Sequence, residues 1–409
     1  MRFTIVTLGS RGDIQPFIAL AKELVHKGHD VNIATFGNYK SFVEENGLKF
    51  TPVSGDSKIL MDSVFTRKKY IASIEYLKPI IGDILDDIYN ACLDCDAIIY
   101  NQVALPAHYV GEKLRIPVIQ AFTFPMHQTG HMPVWLLPQI SMGRRVNSLT
   151  YKFTDYALNV ISRQYFNSFR RKHGLKDIKR LTGIYESVYY DKPLTLYGYS
   201  PSIFPKPNDW GENIFVTGSW FLNNPTEWTP PKQLTDFLED GEPPIYIGFG
   251  SMMGKNFQRI SRTVVKSLIR SRQRGIILSG WGGLKDLQLS KDIMVVDSVP
   301  HEWLFKRVKA VVHHGGIGTT SEGLRAGKPT VIVPFKFDQP FWGKQVYKIG
   351  AGPAPINNKL LTSRSLSEGM IEAVTNKEII RKADEIGQQI RGENGTTEAV
   401  RLIEEYLKV

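Results

Sequence analysis

Cysteine is almost absent from this chain. Two cysteines in 409 residues exclude a fold stapled by disulfides. They form one Cys92-x-x-Cys95 pair that runs directly into the apolar segment Ala97–Tyr100. A zinc site would need a second pair of ligands at suitable spacing, so the pair reads as structural and no metal ligand set is expected. Long apolar runs are missing too. Nowhere do about 18 consecutive apolar residues occur, so no segment is expected to span a bilayer. The opening Met1–Gly9 has too short an apolar run for a secretory leader and lacks a small-residue cleavage site, which points to the cytosol. Acidic residues are in deficit: 40 Asp plus Glu face 51 Lys plus Arg, for a net charge of +11. That balance favours anionic partners such as phosphates or anionic lipid surfaces. Nucleic acid is not expected, because the basic runs lack interleaved aromatics or a recognised module.

The remaining composition is that of a folded protein, with 42% hydrophobic and 22% charged residues. At roughly 150 residues per domain the length predicts two domains. An apolar strand at Phe3–Leu8 is followed by apolar residues at Phe17, Leu20, Ala21, Leu24 and Val25, the stripe of a helix laid on a sheet, and then by a second strand at Val31–Phe36. Further strands are predicted at 97–100 and 117–121. Strand and helix alternating at this spacing predict an α/β fold with a parallel, doubly wound sheet. Between Gly198 and Pro244 the chain is rich in Pro, Gly, Asn and Trp, and from Ile245 the same alternation restarts, with strands at 245–249, 275–278, 293–296, 310–313 and 330–333. We therefore expect a first domain over 1–205, an inter-domain connection over 206–243 and a second domain over 244–390. The helical residues 391–409 are expected to cross back to the first domain. Two such domains facing across a cleft would bring their carboxyl strand ends together, where ligands of this architecture bind.

The densest chemical signal is His313-His314-Gly315-Gly316-Ile317-Gly318-Thr319. A strand runs into a Gly-rich turn and a helix begins. Glycines let backbone N–H groups approach a ligand, and the helix N-terminus supplies unpaired donors, so this is an anion cradle suited to phosphate. His314 can donate to a phosphate oxygen, and Glu322, about one turn into the helix, can accept from ribose hydroxyls. After the strand at 330–333 come Asp338 and Gln339 in an aromatic loop, a pair suited to the vicinal hydroxyls of a sugar; Asp338 equally suits the cap of the next helix. Near the start, Gly9-x-x-Gly12 lacks the spacing of a dinucleotide fingerprint, which counts against a nicotinamide enzyme.

These segments resemble the inverting UDP-sugar glycosyltransferases of GT-B fold, in particular the sterol 3-beta-glucosyltransferase branch and its relatives among the glycopeptide and macrolide antibiotic enzymes. The resemblance rests on Gly9–Pro16, Val216–Leu222, Pro244–Met252, Val299–Phe305, His313–Gly327 and Pro329–Gly343, in order and over nearly the whole chain. It implies that Asp13 is the general base and assigns Ser10, Arg11 and Gly12 of the same turn to the donor side. It implies that Ser251, His314, Gly316, Gly318 and Thr319 hold the diphosphate, Glu322 the ribose, and Asp338 with Gln339 the hexose. Val299 and His301 align with the contacts to uracil. The chain departs from the plant small-molecule enzymes at Ser298 and His301, where they carry Trp and Gln, so the choice of UDP over TDP stays open. It also has Asn101 near the place of their helper carboxylate. A base role for Asp13 competes with a plain helix cap.

The implied reaction needs no cofactor beyond the co-substrate UDP-glucose, and no metal. The acceptor side is expected in the irregular segment Ala121–Pro138, with Phe124, Met126, His127 and Trp135, and near His108; these side chains suit a sterol or another hydrophobic alcohol, and equally a packed core. His131 is a further candidate. Flavonoid or macrolide acceptors, an acceptor-independent sugar-nucleotide epimerase and a non-catalytic nucleotide-sugar or lipid-binding module stay open as alternatives. Basic clusters at Arg67–Lys69, Arg144-Arg145, Arg170–Lys172 and Lys179-Arg180 would hold the enzyme peripherally on an anionic membrane if they share a face, and otherwise form a solvated surface.

Overall fold

The computed structural model describes residues 1–59, 79–140, 142–179, 185, 188, 192–223, 228–249, 257–279 and 289–409. The chain divides into two compact units: Met1–Pro201 with Pro205–Leu222 and Asn394–Val409, and Ser202–Phe204 with Asn223–Glu393.

In the first unit the elements run β1 Arg2–Val6, α1 Arg11–His26, β2 Asp30–Phe36, α2 Lys40–Glu44, β3 Lys49–Val53, α3 Ile81–Ala91, β4 Ala97–Tyr100, α4 Pro106–Leu114, β5 Val118–Phe122, α5 Arg144–Lys172, β6 Thr195–Tyr197 and β7 Ile214–Val216. The strands form one parallel sheet in the order β3-β2-β1-β4-β5-β6-β7. The second unit contains α6 Lys232–Glu239, β8 Ile245–Gly248, α7 Phe257–Ser271, β9 Gly275–Leu278, β10 Ile293–Val296, α8 His301–Leu304, β11 Ala310–His313, α9 Ile317–Arg325, β12 Thr330–Ile332, α10 Gln339–Lys348, α11 Ser363–Thr375 and α12 Lys377–Arg391. Its parallel sheet has the order β10-β9-β8-β11-β12. α13, Gly395–Leu407, returns to the first unit. Both sheets are doubly wound: the strand order reverses between β1 and β4 in one and between β8 and β11 in the other. At such a switch point the loops leave the carboxyl ends of two neighbouring strands in opposite directions and open a crevice.

The anticipated strands are present, with ends shifted by a residue or so. Three more join the first sheet. β3 contains Pro52 and pairs only with β2, and β7 pairs only with β6, so both are sheet edges, where proline is tolerated and apolar patterning is weak. β6 has just three residues. The stretch 206–243, expected as a connection, is divided between the units, β7 belonging to the first and α6 to the second. α1 is buried at Ile14 and Ile18 as well as along its anticipated stripe, whereas Val25 is exposed. The wider burial has a cause: one side of α1 packs on the sheet and another meets Ala399, Val400, Leu402 and Ile403 of α13 in the same core. Helical residues near the C-terminus form two helices, α12 in the second unit and α13 in the first.

Glycine sets one close approach beneath the Gly-rich turn. A Cβ on Gly387 of α12 would stand 2.7 Å from the Leu324 carbonyl oxygen and 2.8 Å from Gly327 Cα, so α12 fits against the end of α9 only without a side chain there. Gly387→Ala is therefore expected to destabilise the second unit by about 1–3 kcal/mol, as overpacking does. In thermal unfolding its melting transition should fall by several degrees, while Gly82→Ala, where a Cβ meets nothing within 4 Å, should leave it unchanged or raise it slightly.

Candidate active site

In the first unit the chain leaves β1 through Thr7 and Leu8, turns at Gly9 with φ +130°, and enters α1. A Cβ on Gly9 would come 2.6 Å from Asp13 Oδ2, so glycine is what lets the carboxylate fold back over the turn. Asp13 occupies the third helical position. Its Oδ2 accepts hydrogen bonds from the Ser10 backbone N–H and the Ser10 hydroxyl, both at 2.8 Å, which caps α1. Its Oδ1 accepts from Gln102 Nε2 at 2.9 Å. Burial raises the Asp13 pKa above the usual carboxylate range, and the bonds from Ser10 and Gln102 oppose that rise. All three donors are neutral, so the carboxylate has been desolvated without being given a cation.

Gln102 was not anticipated. It follows β4, the strand beside β1 at the switch point, and is nearly buried, with its Oε1 buried and without a hydrogen-bond partner. Asn101, expected near the place of a helper carboxylate, instead holds the turn itself: its Nδ2 donates to the Leu8 carbonyl at 2.7 Å, and its Oδ1 accepts from the N–H groups of Leu8 at 3.3 Å and Ala104 at 3.1 Å. Tyr39 donates to the Gly9 carbonyl at 3.4 Å and is itself held by Ser57. Arg11 is exposed, lies over the Phe42 ring at 4.7 Å and bonds Gln15. Gly12 is exposed beside it.

The segment after β5 is largely buried. Phe124 meets Trp135 edge-on with ring centroids 5.4 Å apart, and Met126 is nearly covered. Tyr197 of β6 accepts from the backbone N–H groups of Met126 and His127 and donates to His127 Nδ1 at 2.8 Å, while Trp210 stacks on it at 4.7 Å. Burial pushes the His127 pKa down to about 3. His127 is thus a neutral member of an aromatic cluster. His108 lies on α4, buried, with Nδ1 3.4 Å from the Tyr100 hydroxyl, and packs on that helix's side of the sheet. His131 reaches Asn208 at 2.8 Å. Neither these histidines nor any other described residue besides Ser10 and Gln102 bonds the Asp13 carboxylate.

In the second unit β11 ends at His313, whose Nδ1 accepts from the Gly315 N–H at 2.9 Å and so bends the chain into the turn. Gly315 adopts φ +91°, and a Cβ there would lie 2.7 Å from Ile332. Gly316 caps α9, and Thr320 N–H makes the first helical bond, to its carbonyl. The N–H groups of Ile317, Gly318 and Thr319 precede that bond, so the helix offers them no acceptor. The space above Gly318 is open: a Cβ would meet nothing within 4 Å. His314 stands beside this end, Nε2 being 2.6 Å from where a Gly316 Cβ would sit. Burial lowers its pKa to about 4 against a smaller opposing contribution from the Gly248 backbone, and its buried Nδ1 has no hydrogen-bond partner among the described residues. Both His313 and His314 are neutral, so the groups described at this helix N-terminus are uncharged.

On the same helix Glu322 is mostly buried, and burial raises its pKa to about 7; Arg325 at 3.8 Å pulls it down, but less. The pair Asp338 and Gln339 differs in part from the expectation. Gln339 Oε1 accepts from the backbone N–H groups of Phe335 and Lys336 at 2.8 and 3.0 Å, so this oxygen frames the loop rather than standing ready for a sugar. Asp338 is the N-cap residue of α10 yet makes no side-chain cap bond; its Oδ2 accepts from the Trp342 indole at 2.8 Å. Phe337, just before Asp338, has φ +57°, a left-handed conformation that costs an ordinary residue energy. His301 stacks on Phe305 and meets the Tyr246 hydroxyl at 3.1 Å, and Val299 is buried nearby in the same core. Ser251 lies outside the described residues, as do Arg67–Lys69 and Arg180. The cluster Arg170–Lys172 is not a free basic patch, since these residues pair with Glu112, Asp177 and Asp86.

Comparison with known proteins places this geometry. Residues 3–133 match the model of the glycosyltransferase family 28 N-terminal domain, and residues 282–406 the model of the erythromycin biosynthesis protein CIII-like C-terminal domain. A sterol 3-beta-glucosyltransferase of Arabidopsis thaliana is 37% identical over 423 residues, covering 100% of this chain and 66% of its own length. One from Aspergillus fumigatus is 35% identical over 422 residues, covering 98% of this chain and 30% of its own. The chain therefore spans about two thirds of the plant relative and less than a third of the fungal one. Among solved structures, the glycotransferase of kitacinnamycin superposes with a TM-score of 0.75 at 20% identity, covering 99% of this chain and 98% of that one. The calicheamicin glycosyltransferase CalG4 gives 0.72 at 16%, covering 100% and 98%. Two doubly wound parallel sheets, each with its crevice at a switch point, are the common architecture, and the chain belongs to the glycosyltransferases of GT-B fold, in the family that includes the sterol 3-beta-glucosyltransferases.

Proposed function

We propose that this chain transfers glucose from UDP-glucose, with inversion, to the hydroxyl of a sterol or similar lipophilic alcohol. The observation that carries the reading is the alignment of 98–100% of the chain with sterol 3-beta-glucosyltransferases, joined to a half-buried carboxylate at Asp13 whose hydrogen-bond donors among the described residues are all neutral. In this reading the diphosphate lies at the N-terminus of α9, met by its backbone N–H groups and by His314, with Ser251 contributing. Glu322 takes the ribose, Val299 and His301 border the base, and Asp338 takes hexose hydroxyls beside the loop that Gln339 frames. On the acceptor side, Asp13 Oδ1 takes the hydroxyl proton as the alcohol oxygen bonds to the anomeric carbon. The bond from that carbon to the diphosphate oxygen breaks, and its electron pair leaves on UDP. The aromatic segment Phe124–Trp135 borders the acceptor, and peripheral contact with an anionic membrane belongs to the same reading. No step requires a cofactor.

Gln102 is assigned a positioning role: its Nε2 fixes Oδ1 toward the acceptor and stabilises the anion.

Wild-type protein should release UDP from UDP-glucose only when a sterol is supplied. Asp13→Asn should lower turnover by about 10²–10⁴-fold, the usual contribution of a positioned base, while calorimetry shows UDP binding retained. Sterol-independent release, or full activity in the variant, would overturn the assignment.

Removing the Gln102 amide takes a donor from the ionised form, so the Asp13 pKa must rise further. In Gln102→Leu the acidic limb of the kcat/KM profile should therefore move to higher pH, and kcat should fall more than KM changes. A profile superimposable on wild type would count against this role.

Glu322, with a pKa near 7, is only partly ionised at neutral pH. Ribose hydroxyls that donate directly to the carboxylate favour its charged form and outweigh the opposing field of the diphosphate a turn away at the helix N-terminus, so UDP binding at pH 7 should release protons. Calorimetry in buffers of different ionisation enthalpy should detect that release, and Glu322→Gln should abolish it.

A further inference from the structure

α5 is built inside out on one side. Its inward face buries Asn147, Tyr151, Phe166 and Phe169. On the opposite face Val146, Leu149, Phe153, Tyr156 and Val160 are 44%, 60%, 75%, 38% and 58% exposed. At 100° per residue these five fall within an arc of about 80°, along about 21 Å of helix. A folded surface rarely leaves so ordered an apolar stripe in water. Arg145, Lys152 and Arg163 lie along one edge of the same arc, none of them in an ion pair among the described residues, whereas the basic residues at the helix end are matched by acids. Asp155 is the only acidic residue on the helix. The loop entering α5 continues the pattern with Ile140 69% and Met142 47% exposed, and it leads from the aromatic segment Phe124–Trp135.

We infer that the outer face of α5 lies in the interface of an anionic lipid bilayer, the stripe from Val146 to Val160 set among the acyl chains and Arg145, Lys152 and Arg163 at the headgroups. An apolar face edged by unpaired cations is the chemistry of a helix that lies in the membrane plane. Among the described residues no helix is long and apolar enough to cross a membrane, so the helix lies on the bilayer and does not span it. A second copy of the chain fits this face poorly, because pairing two such stripes would bring rows of positive charge together. This assignment goes further than peripheral attraction by basic clusters, since it names the inserting side chains, and it holds or fails independently of the reaction proposed above.

The full chain should co-sediment with sucrose-loaded phosphatidylcholine vesicles containing about 30% phosphatidylserine, and much less with phosphatidylcholine alone. The double variant Leu149→Glu/Phe153→Glu should lower partitioning by about tenfold or more, since two apolar side chains no longer enter the bilayer. Lys152→Glu/Arg163→Glu should remove the preference for phosphatidylserine. All these positions are exposed or at the edge of the face, so thermal unfolding and UDP binding should match wild type, which separates lost docking from lost folding. Wild-type protein that stays in the supernatant at both compositions would overturn the inference. So would undiminished binding by the Leu149/Phe153 variant, which would leave attraction by charge alone. A lipid-free dimer in sedimentation velocity that Phe153→Glu dissociates would overturn it as well, by making a second copy the occupant.

Discussion

A carboxylate can serve as a base toward an alcohol only while its basicity is not already spent. A nearby cation would favour the anion and drag the pKa down, and full hydration would leave it at the ordinary value. Asp13 avoids both. It is pulled out of water by the turn between β1 and α1, and the groups that meet it are a serine N–H, a serine hydroxyl and a glutamine amide, all neutral. Much of the surrounding structure serves that arrangement. Gly9 removes the one Cβ that would collide with the carboxylate, Asn101 ties Leu8 to the end of β4, and the neighbouring strands β1 and β4 bring Gln102 within reach. Oδ2 is committed to the cap of α1 and Oδ1 to Gln102, so under the proposed reaction one side chain would cap a helix and serve as the base.

The second unit solves a different electrostatic problem with the same topology. Its Gly-rich turn also leaves a strand at the switch point, but the polar groups gathered there are backbone N–H donors and two histidines kept neutral by burial. A diphosphate held by neutral donors and a helix dipole is stabilised without the strong ground-state grip of a fixed cation. For a transferase this matters, because interactions that hold substrate and product alike do not accelerate the step between them.

How much of this was legible depends on how local each signal is. The strand-helix alternation is a property of short windows, so both doubly wound sheets followed from periodicity, and the Gly-rich turn into a helix N-terminus followed from residue type. Gln102 could not be found that way. Nothing in Asn101-Gln102 distinguishes the two, and only the adjacency of β1 and β4, strands separated by roughly ninety positions, shows which of them reaches Asp13. Gln339 shows the same limit: its side chain has the chemistry to bind a sugar, and only the structure shows that its carbonyl oxygen accepts from backbone N–H groups three and four residues earlier. The stripe on α5 was hidden among seemingly ordinary helix residues, because a sequence gives the period of an apolar face but not which side of the helix the protein covers. The basic run at its end looked like a patch until Glu112, Asp177 and Asp86 were seen to answer it.

Under the proposed reaction, two units of like topology also account for a division of the work between them. A base must remain an anion until the alcohol arrives, and a diphosphate must meet no anion at all. Placed about 4 Å apart, two unit charges of like sign repel by roughly 1 kcal/mol in water and about 4 kcal/mol at the effective dielectric of a protein surface. A single crevice holding both would raise the pKa of the base at the moment of donor binding and weaken the donor's grip in the same stroke. Glu322 meets the constraint in its own way: it sits about one turn into α9 with its pKa lifted to about 7, so it carries only part of a charge at neutral pH. Asp13 belongs to the other sheet, and burial raises its pKa in turn, with only neutral donors from Ser10 and Gln102 opposing the rise.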